Sequence, residues 1–369
     1  MTAVTDTITI AGAGPAGLAA AICLAHAGRS VVVHEAQPRV GARWRGGWQI
    51  LENFIHPEDA LALFARLGIA VRFASHPLQA MTVFDDRMRA TPLTSRSPIG
   101  YLIRRGPEPS MLDGGLLETA RAAGVDVRCN SRVAPEESVP IRATGPAAAD
   151  GLGCELVFAT TLSNRLQVIL DPQLAPGGYA YLFVQDGWAT IGMALVRDFK
   201  ALDRYWGATL DRFQRLEPFS TGGARRSTAY VNFFLPRRLQ QNGTLTVGEA
   251  AGFQDDLLGF GIRSAVLSGY LAAQALLGRG AYDAAWRSAL EPTQQTGLWM
   301  RYLYECGGRS MARQLVRRAA RHGDVRDYLR TWYQPAWWKR ASLPWIRRQW
   351  RARQACSHAS VEHWCRQRG

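Results

Sequence analysis

The sequence predicts an α/β chain, α+β overall, in which a Rossmann-like dinucleotide-binding domain carries an inserted antiparallel-sheet domain and a helical C-terminal extension. Three observations predict it. A strand, a glycine turn, a helix, a second strand and an acid follow one another within residues 7–35. Segments of alternating apolar and polar residues recur between residues 80 and 195, the period of strands with one buried face. A late strand and glycine-rich turn after residue 244 open another long apolar helix, and basic sequence follows to the end.

The first element is Thr7-Ile-Thr-Ile-Ala11, a short apolar strand that runs into Gly12-Ala-Gly14-Pro15-Ala16-Gly17 and an alanine-rich helix to about Ala27. In this setting G-x-G-x-x-G has a physical reading. Gly12 makes the tight turn, Gly14 lets a pyrophosphate approach the backbone, and Gly17 lets helix and strand pack closely, while the free N–H groups of the helix start face the phosphates. The second strand, Ser30–His34, ends at Glu35, 18 residues past the last glycine and placed to accept hydrogen bonds from the adenosine ribose. Later, Thr244-Leu-Thr-Val enters Gly248-Glu249-Ala-Ala-Gly252, and Leu258-Gly259-Phe260-Gly261-Ile262 starts a helix to about Leu277.

Together these lines resemble the flavoproteins of the p-hydroxybenzoate hydroxylase type, and within them the geranylgeranyl reductase branch. The resemblance follows the order of motifs over most of residues 1–290 and implies FAD. It places Gly248 and Glu249 at the ribityl or phosphate side and Gly259, Gly261 and Ile262 at the isoalloxazine ring. Glu249 stands where that group carries aspartate. Tyr101–Arg105, followed by a helix from about Pro109 to Ala123 and by Val125–Cys129, is similar to the segment whose arginine approaches the flavin. Arg105 is read either so or as a surface ion pair. Ala143-Thr144-Gly145 resembles a strand end at the cofactor. Pro176-Gly-Gly-Tyr179-Ala-Tyr181-Leu-Phe183-Val184 is similar to the group's substrate-wall strand, with Tyr181 in place of tryptophan and Val184 in place of proline. By periodicity alone the three aromatics are core or cavity wall. Where several reductases of the branch carry a cysteine near the flavin, this chain has Gly41-Ala-Arg43-Trp44-Arg45-Gly46-Gly47-Trp48. Arg43, Arg45 and Trp48 are read as cofactor contacts or as a structural turn.

The resemblance implies hydride transfer from reduced flavin to a carbon–carbon double bond of an apolar isoprenoid, polyene or lipid-like substrate, with Tyr179 and Tyr181 as candidate proton donors. Two alternatives stand beside it: a monooxygenase hydroxylating an aromatic or polyene substrate, and a flavoprotein that mainly binds within a lipid or pigment assembly. No second complete G-x-G-x-x-G with its acid occurs, so electrons are expected from transiently bound NAD(P)H or a separate reductase. The expected division is residues 1–75, 100–150 and 236–290 for FAD, 76–99 and 151–235 for the substrate sheet, and 291–369 for the helical region.

Composition sets the outer limits. With 369 residues, 47% hydrophobic and 20% charged, the chain suits a globular protein of two or three domains and excludes a disordered or disulfide-framework protein. The longest apolar candidate, Ala16–Ala27, falls short of the roughly 20 residues of a membrane span. With no basic segment preceding an apolar one at the start, a cytoplasmic protein is expected. Six irregularly spaced cysteines fit free thiols. Of the net charge of +14, residues 311–369 carry fourteen basic against three acidic residues, a net +11, together with six of the twelve tryptophans. Residues 335–369, with Trp345, Ile346 and Trp350 between Arg347, Arg348, Arg351 and Arg353, are expected either to meet an anionic membrane surface or to form part of a helical subdomain whose tryptophans pack inward while its arginines are solvated. On the first reading, the tail localises the protein and its removal spares the chemistry. No nucleic acid is expected, because no recognition module accompanies the charge. Cys356, His358, His363 and Cys365 offer ligand types suited to zinc at a spacing of no common site, and no metal is assigned.

Overall fold

The computed structural model describes residues 7–146, 150–233, 235, 236 and 238–353. Three sheets share the chain. The first has six strands in the order β15 (Gln240–Gln241), β16 (Thr244–Thr246), β9 (Ile141–Arg142), β1 (Ile8–Ala11), β2 (Val31–His34) and β8 (Asp126–Arg128). All its neighbours pair in parallel except the β15–β16 hairpin. Parallel strands need crossovers, and α1 (Pro15–His26) supplies the first. Its run Ala16–Leu24 is buried throughout, since it is covered by the sheet, by α3 (Leu112–Ala122) and by α5 (Ile262–Leu276). Small residues make that sandwich possible. A Cβ on Gly269 of α5 would lie 2.0 Å from the Ala16 carbonyl oxygen.

The second sheet has seven strands in the order β14 (Ser227–Val231), β10 (Gly151–Ala159), β13 (Trp188–Leu195), β12 (Tyr179–Gln185), β11 (Arg165–Leu170), β5 (Ala80–Asp85) and β6 (Ala90–Thr94). It is antiparallel as expected except that β11 and β5 run parallel, because a long excursion through the other sheets separates them. Period 2 divides its faces. Ala180, Leu182 and Val184 pack with Ile191, Met193 and Leu195 against α4 (Leu202–Leu216), and the alternate residues Tyr179, Tyr181 and Phe183 point the other way.

A third sheet, β3 (Trp48–Glu52), β7 (Gly100–Arg104) and β4 (Ser75–Leu78), was not anticipated as a separate unit. It packs on the aromatic face through Trp48, Leu78 and Leu102. Trp48 is tied there, its backbone N–H donating to Thr190 Oγ1 at 2.8 Å and its indole N–H to the Trp188 carbonyl at 3.0 Å. The short α2 (Ala60–Arg66) is capped by Asp59, which accepts from the backbone of Leu61 and Ala62.

The C-terminal region is helical: α6 (Tyr282–Ala289), α7 (Glu291–His322), α8 (Val325–Tyr333) and α9 (Trp337–Arg353), with α7 broken at Gly308, φ 53°. Trp337, Trp338 and Trp345 of α9 are 81%, 45% and 56% exposed. Ile346 corrects the surface reading of this stretch: with Leu343 it is buried against Phe233, Leu298 and Tyr302. Lys339 is buried too, donating to the carbonyls of Trp332 and Gln334 at the end of α8. The side chains of Arg347, Trp350, Arg351 and Arg353, and residues Cys356, His358, His363 and Cys365, lie outside what is described. Among the described residues no helix is long and apolar enough to cross a membrane, and no group of three His, Cys, Asp or Glu is placed to hold a metal ion.

Candidate active site

One cavity of about 1030 Å³ joins the first sheet to the aromatic face of the second. At its nucleotide end the chain turns out of β1 at Gly12, whose φ of 102° favours glycine and where a Cβ would lie 2.3 Å from the Ala143 carbonyl oxygen. Gly14 caps α1 with extended backbone, and a Cβ there would meet nothing within 4 Å, so the turn opens onto the cavity. Pro15 takes the first helical position, where no N–H is needed, and no acid in the first turn opposes an anion. Glu35 follows β2, its Oε2 accepting from the Ala13 N–H and its Oε1 from the Gln37 N–H, each at 2.9 Å. An open glycine cradle before a helix N-terminus, with an oriented acid at the end of the neighbouring strand, fits a dinucleotide such as FAD.

The opposite rim comes from the segment after β16. Glu249 is half-buried, its Oε1 accepting from the Asn232 N–H at 3.2 Å and its Oε2 4.0 Å from Arg43 Nη1. Burial pushes its carboxyl up, and the Arg43 guanidinium pulls the other way. Arg43 also donates to the Tyr230 carbonyl at 3.1 Å and lies 4.9 Å from the Trp44 ring. Gly261 caps α5, whose first turn again lacks an acid. Arg105 is an ion pair, but a buried one. It donates from Nε and Nη2 to both Asp113 oxygens at 2.8 Å, reaches Gln49 at 3.2 Å, and still lines the cavity beside Trp44.

The far wall is apolar. The Tyr181 and Phe183 rings stack at 4.7 Å, Tyr179 stands 6.1 Å from Tyr181, and the Tyr179 hydroxyl donates to the Leu258 carbonyl at 2.7 Å. Leu93, Val168 and Leu170 from the sheet and Val316 and Leu329 from α7 and α8 belong to one apolar cluster, and all five line the cavity. Every predicted site residue lines this one cavity except Gly17, which stands behind the turn, where a Cβ would lie 2.0 Å from the Gly12 carbonyl oxygen. Of the other turn residues, Trp48 lines the cavity, whereas Arg45 is exposed and does not.

The ionisable residues on the lining that were not anticipated include Glu155, Asp256 and Arg301. Glu155, on β10, is 7% exposed and pushed up to about 7 by burial, against the pull of Arg105. Asp256 is 3% exposed, and burial followed by the neighbouring Asp255 raises its carboxyl well above the usual range. Arg301, 1% exposed, pairs with Glu305, and burial lowers it to about 10. The two acids had a signal in the sequence. Glu155 is a single acid amid Leu152–Phe158, and the Asp255-Asp256 pair directly precedes Leu257-Leu258.

Comparisons with known proteins agree with this geometry. Residues 10–57 match the family described as NAD(P)-binding Rossmann-like domain. The chain is 25% identical over 322 residues to a digeranylgeranylglycerophospholipid reductase of Thermoplasma acidophilum, covering 72% of this chain and 76% of that protein. The structure of a geranylgeranyl bacteriochlorophyll reductase-like protein from the same organism superposes with a TM-score of 0.70 at 18% identity, over 92% of this chain and 99% of the other. A probable FAD-dependent monooxygenase from Pseudomonas aeruginosa superposes with a TM-score of 0.58 at 16% identity, over 89% and 100%. The structural likenesses bear out the predicted α/β fold, which reductases and oxygenases share.

Proposed function

We propose that this chain, an FAD-dependent oxidoreductase of the geranylgeranyl reductase-like group, reduces carbon–carbon double bonds of an apolar, isoprenoid-like substrate. The observation that carries the reading is the continuity of one cavity from the dinucleotide cradle to an apolar wall, with the aromatic strand between them. The N-terminus of α1 and the turn from Gly12 to Gly17 would hold the pyrophosphate, and Glu35 the adenosine ribose. Arg43, Arg105, Gly145, Gly248 and Glu249 would line the ribityl side, and Gly259, Gly261 and Ile262 the ring. Bound and reduced, FAD supplies a hydride.

The remaining work falls to the chain. Leu93, Val168, Leu170, Val316 and Leu329 exclude water from an alkyl substrate, and Phe183 with Tyr181 forms the wall along which it lies. A phenolic O–H on that wall can pass a proton to the carbon next to the one that accepts hydride. The named relative acts on a geranylgeranyl lipid, which supports an isoprenoid chain here. NAD(P)H or a separate reductase is the proposed electron donor. Residues 335–369, with Trp337, Trp338, Trp345 and Arg348 exposed, are proposed to hold the protein, in the cytoplasm, at an anionic membrane surface.

The test is anaerobic reduction of the flavin-loaded protein with NADPH or dithionite, followed by addition of a geranylgeranyl lipid. Return of the oxidised flavin spectrum with a product heavier by two hydrogens per double bond is expected. A product carrying added oxygen on admission of air, with no anaerobic turnover, would sink the reductase reading in favour of hydroxylation.

A further inference from the structure

Glu155, Gly192 and Tyr181 lie side by side on three adjacent strands. Glu155 of β10 is directly opposite Gly192 of β13, and Gly192 is directly opposite Tyr181 of β12. Directly opposite residues share a sheet face, and here it is the face toward the cavity, which Glu155 and Tyr181 both line. Gly192 provides the room between them. A Cβ there would lie 2.4 Å from both Cζ and the hydroxyl oxygen of Tyr181, so the phenol lies across the space of a missing side chain. Its hydroxyl thereby reaches Glu155 Oε2 at 3.5 Å. A second glycine seats the acid from the other side, since a Cβ on Gly47 would be 2.8 Å from Glu155 Oε1. Phe183 stacks on the phenol and fixes its plane.

Tyr179 is less suited to proton transfer, because its hydroxyl is committed to the Leu258 carbonyl at 2.7 Å. Charged groups face Glu155 from two elements besides its own sheet: Arg105 at the end of β7, held by Asp113, and Arg43 in the turn before β3, near Glu249. From β14 the opposite residue is Ser227, which brings no charge. Next to Tyr181 stand Tyr179 and the Cys154 thiol.

We propose that Glu155 is the positioning partner of Tyr181 and the source of its proton, the two forming a relay at the cavity wall. This rests on the reductase reading. As hydride from the reduced flavin forms one C–H bond, the O–H bond of Tyr181 breaks and its proton forms the second, on the neighbouring carbon. The O–H bond of protonated Glu155 then breaks to restore the phenol, and water reprotonates the carboxylate. The alkene gains two electrons and two hydrogens, and the flavin loses two electrons. When Glu155 is ionised, the phenol donates to Oε2 and is held from the substrate. Burial keeps the acid half protonated at about pH 7, so proton supply weakens as pH rises through neutrality.

The experiment follows the protonated-carboxyl stretching band of the full-length protein by infrared spectroscopy across pH, in wild type, Glu155→Gln and Tyr181→Phe, beside the pH profile of kcat for the geranylgeranyl lipid. A band that titrates near 7, vanishes in E155Q and shifts in Y181F is expected. With it, wild-type kcat falls above neutrality, and E155Q loses about 100-fold in kcat and the pH dependence together. Equal kcat profiles in wild type and E155Q, or no titrating band removed by E155Q, overturn the proposal. If no lipid is reduced yet the Glu155 band titrates and Y181F shifts it, the pair stands and the reductase reading is what fails.

Discussion

Glu35 accepts two backbone N–H groups at 2.9 Å, so its carboxylate is oriented before any ribose arrives. Hydrogen bonds to a charged group contribute about 1.5–3 kcal/mol each. Glu35→Ala is therefore expected to weaken FAD binding at least tenfold in a fluorescence titration, with the circular dichroism unchanged. Unchanged affinity would remove Glu35 from the cofactor site. Glu52 is a different kind of acid: it lies 3% exposed at the end of β3, its Oε2 has no hydrogen-bond partner among the described residues, and burial raises it to about 8. A carboxyl whose folded pKa is raised binds its proton more tightly in the native state. Its effect is to lower stability as pH rises from its unfolded value near 4.5 to about 8. Asp255 and Glu155, raised to about 6 and about 7, act in the same direction. His56, lowered to about 4 by burial, opposes this, but only below its unfolded value of 6.5. Between pH 6.5 and 8 the buried acids act without it, so the melting temperature should fall over that window, and Glu52→Gln should flatten the fall. A melting temperature that rises there would contradict the buried, protonated state of Glu52.

The elements themselves were legible where local chemistry settles them. Gly12 to Gly17 between an apolar strand and an alanine helix admits few structures, and β1, α1 and β2 follow it closely. Period 2 likewise separated Tyr179, Tyr181 and Phe183 from Ala180, Leu182 and Val184. What periodicity could not give was pairing. The three-stranded β3–β7–β4 sheet and the parallel β5–β11 contact join segments far apart in sequence, and no short window contains them. Glu155 was missed for the same reason, because its partners Gly192 and Tyr181 lie on other strands. The contact of α1 with α5 gives this scale its prediction. A Cβ on Gly269 would sit 2.0 Å from the Ala16 backbone oxygen, an atom that cannot rotate away, and Ala16 lines the cofactor cavity. Gly269→Ala is expected to cost about 1–3 kcal/mol in thermal or urea unfolding and to lower FAD retention. Gly207→Ala in α4, where a Cβ meets nothing within 4 Å, should be neutral or stabilise by up to about 1 kcal/mol. Equal effects at the two positions would show that close helix approach is not the cause.

Over the whole molecule, charge and core overlap in the C-terminal region. Residues 311–369 carry +11 of the net +14, which in sequence looks like a separable basic tail. In the structure α9 is also part of the core: Leu343 and Ile346 are 4% and 1% exposed, and they pack against α7 and the segment of Phe233 and Leu235. Lys339 closes the end of α8, and Val316, Ala319 and Leu329 of the preceding helices line the cavity. Removing residues 335–369 thus exposes apolar surface behind the helices that shape the substrate wall, and loss of activity in such a truncation would say little about membranes. Surface substitutions separate the two roles. Trp337 and Trp345 are 81% and 56% exposed, and Arg348 is exposed on the same helix. The double variant Trp337→Ser, Arg348→Ser, which leaves Trp345 in its edge-to-face contact with Tyr302, is expected to melt within about 2 °C of wild type, because exposed positions away from special contacts change stability by less than about 0.5 kcal/mol. It should lose most of its cosedimentation with phosphatidylserine-containing vesicles at low salt, as wild type should when ionic strength is raised. Vesicle binding that survives the substitutions, or wild-type binding indifferent to salt and to anionic lipid, would assign the exposed residues of α9 to a solvated face and leave α9 as a support packed against α7.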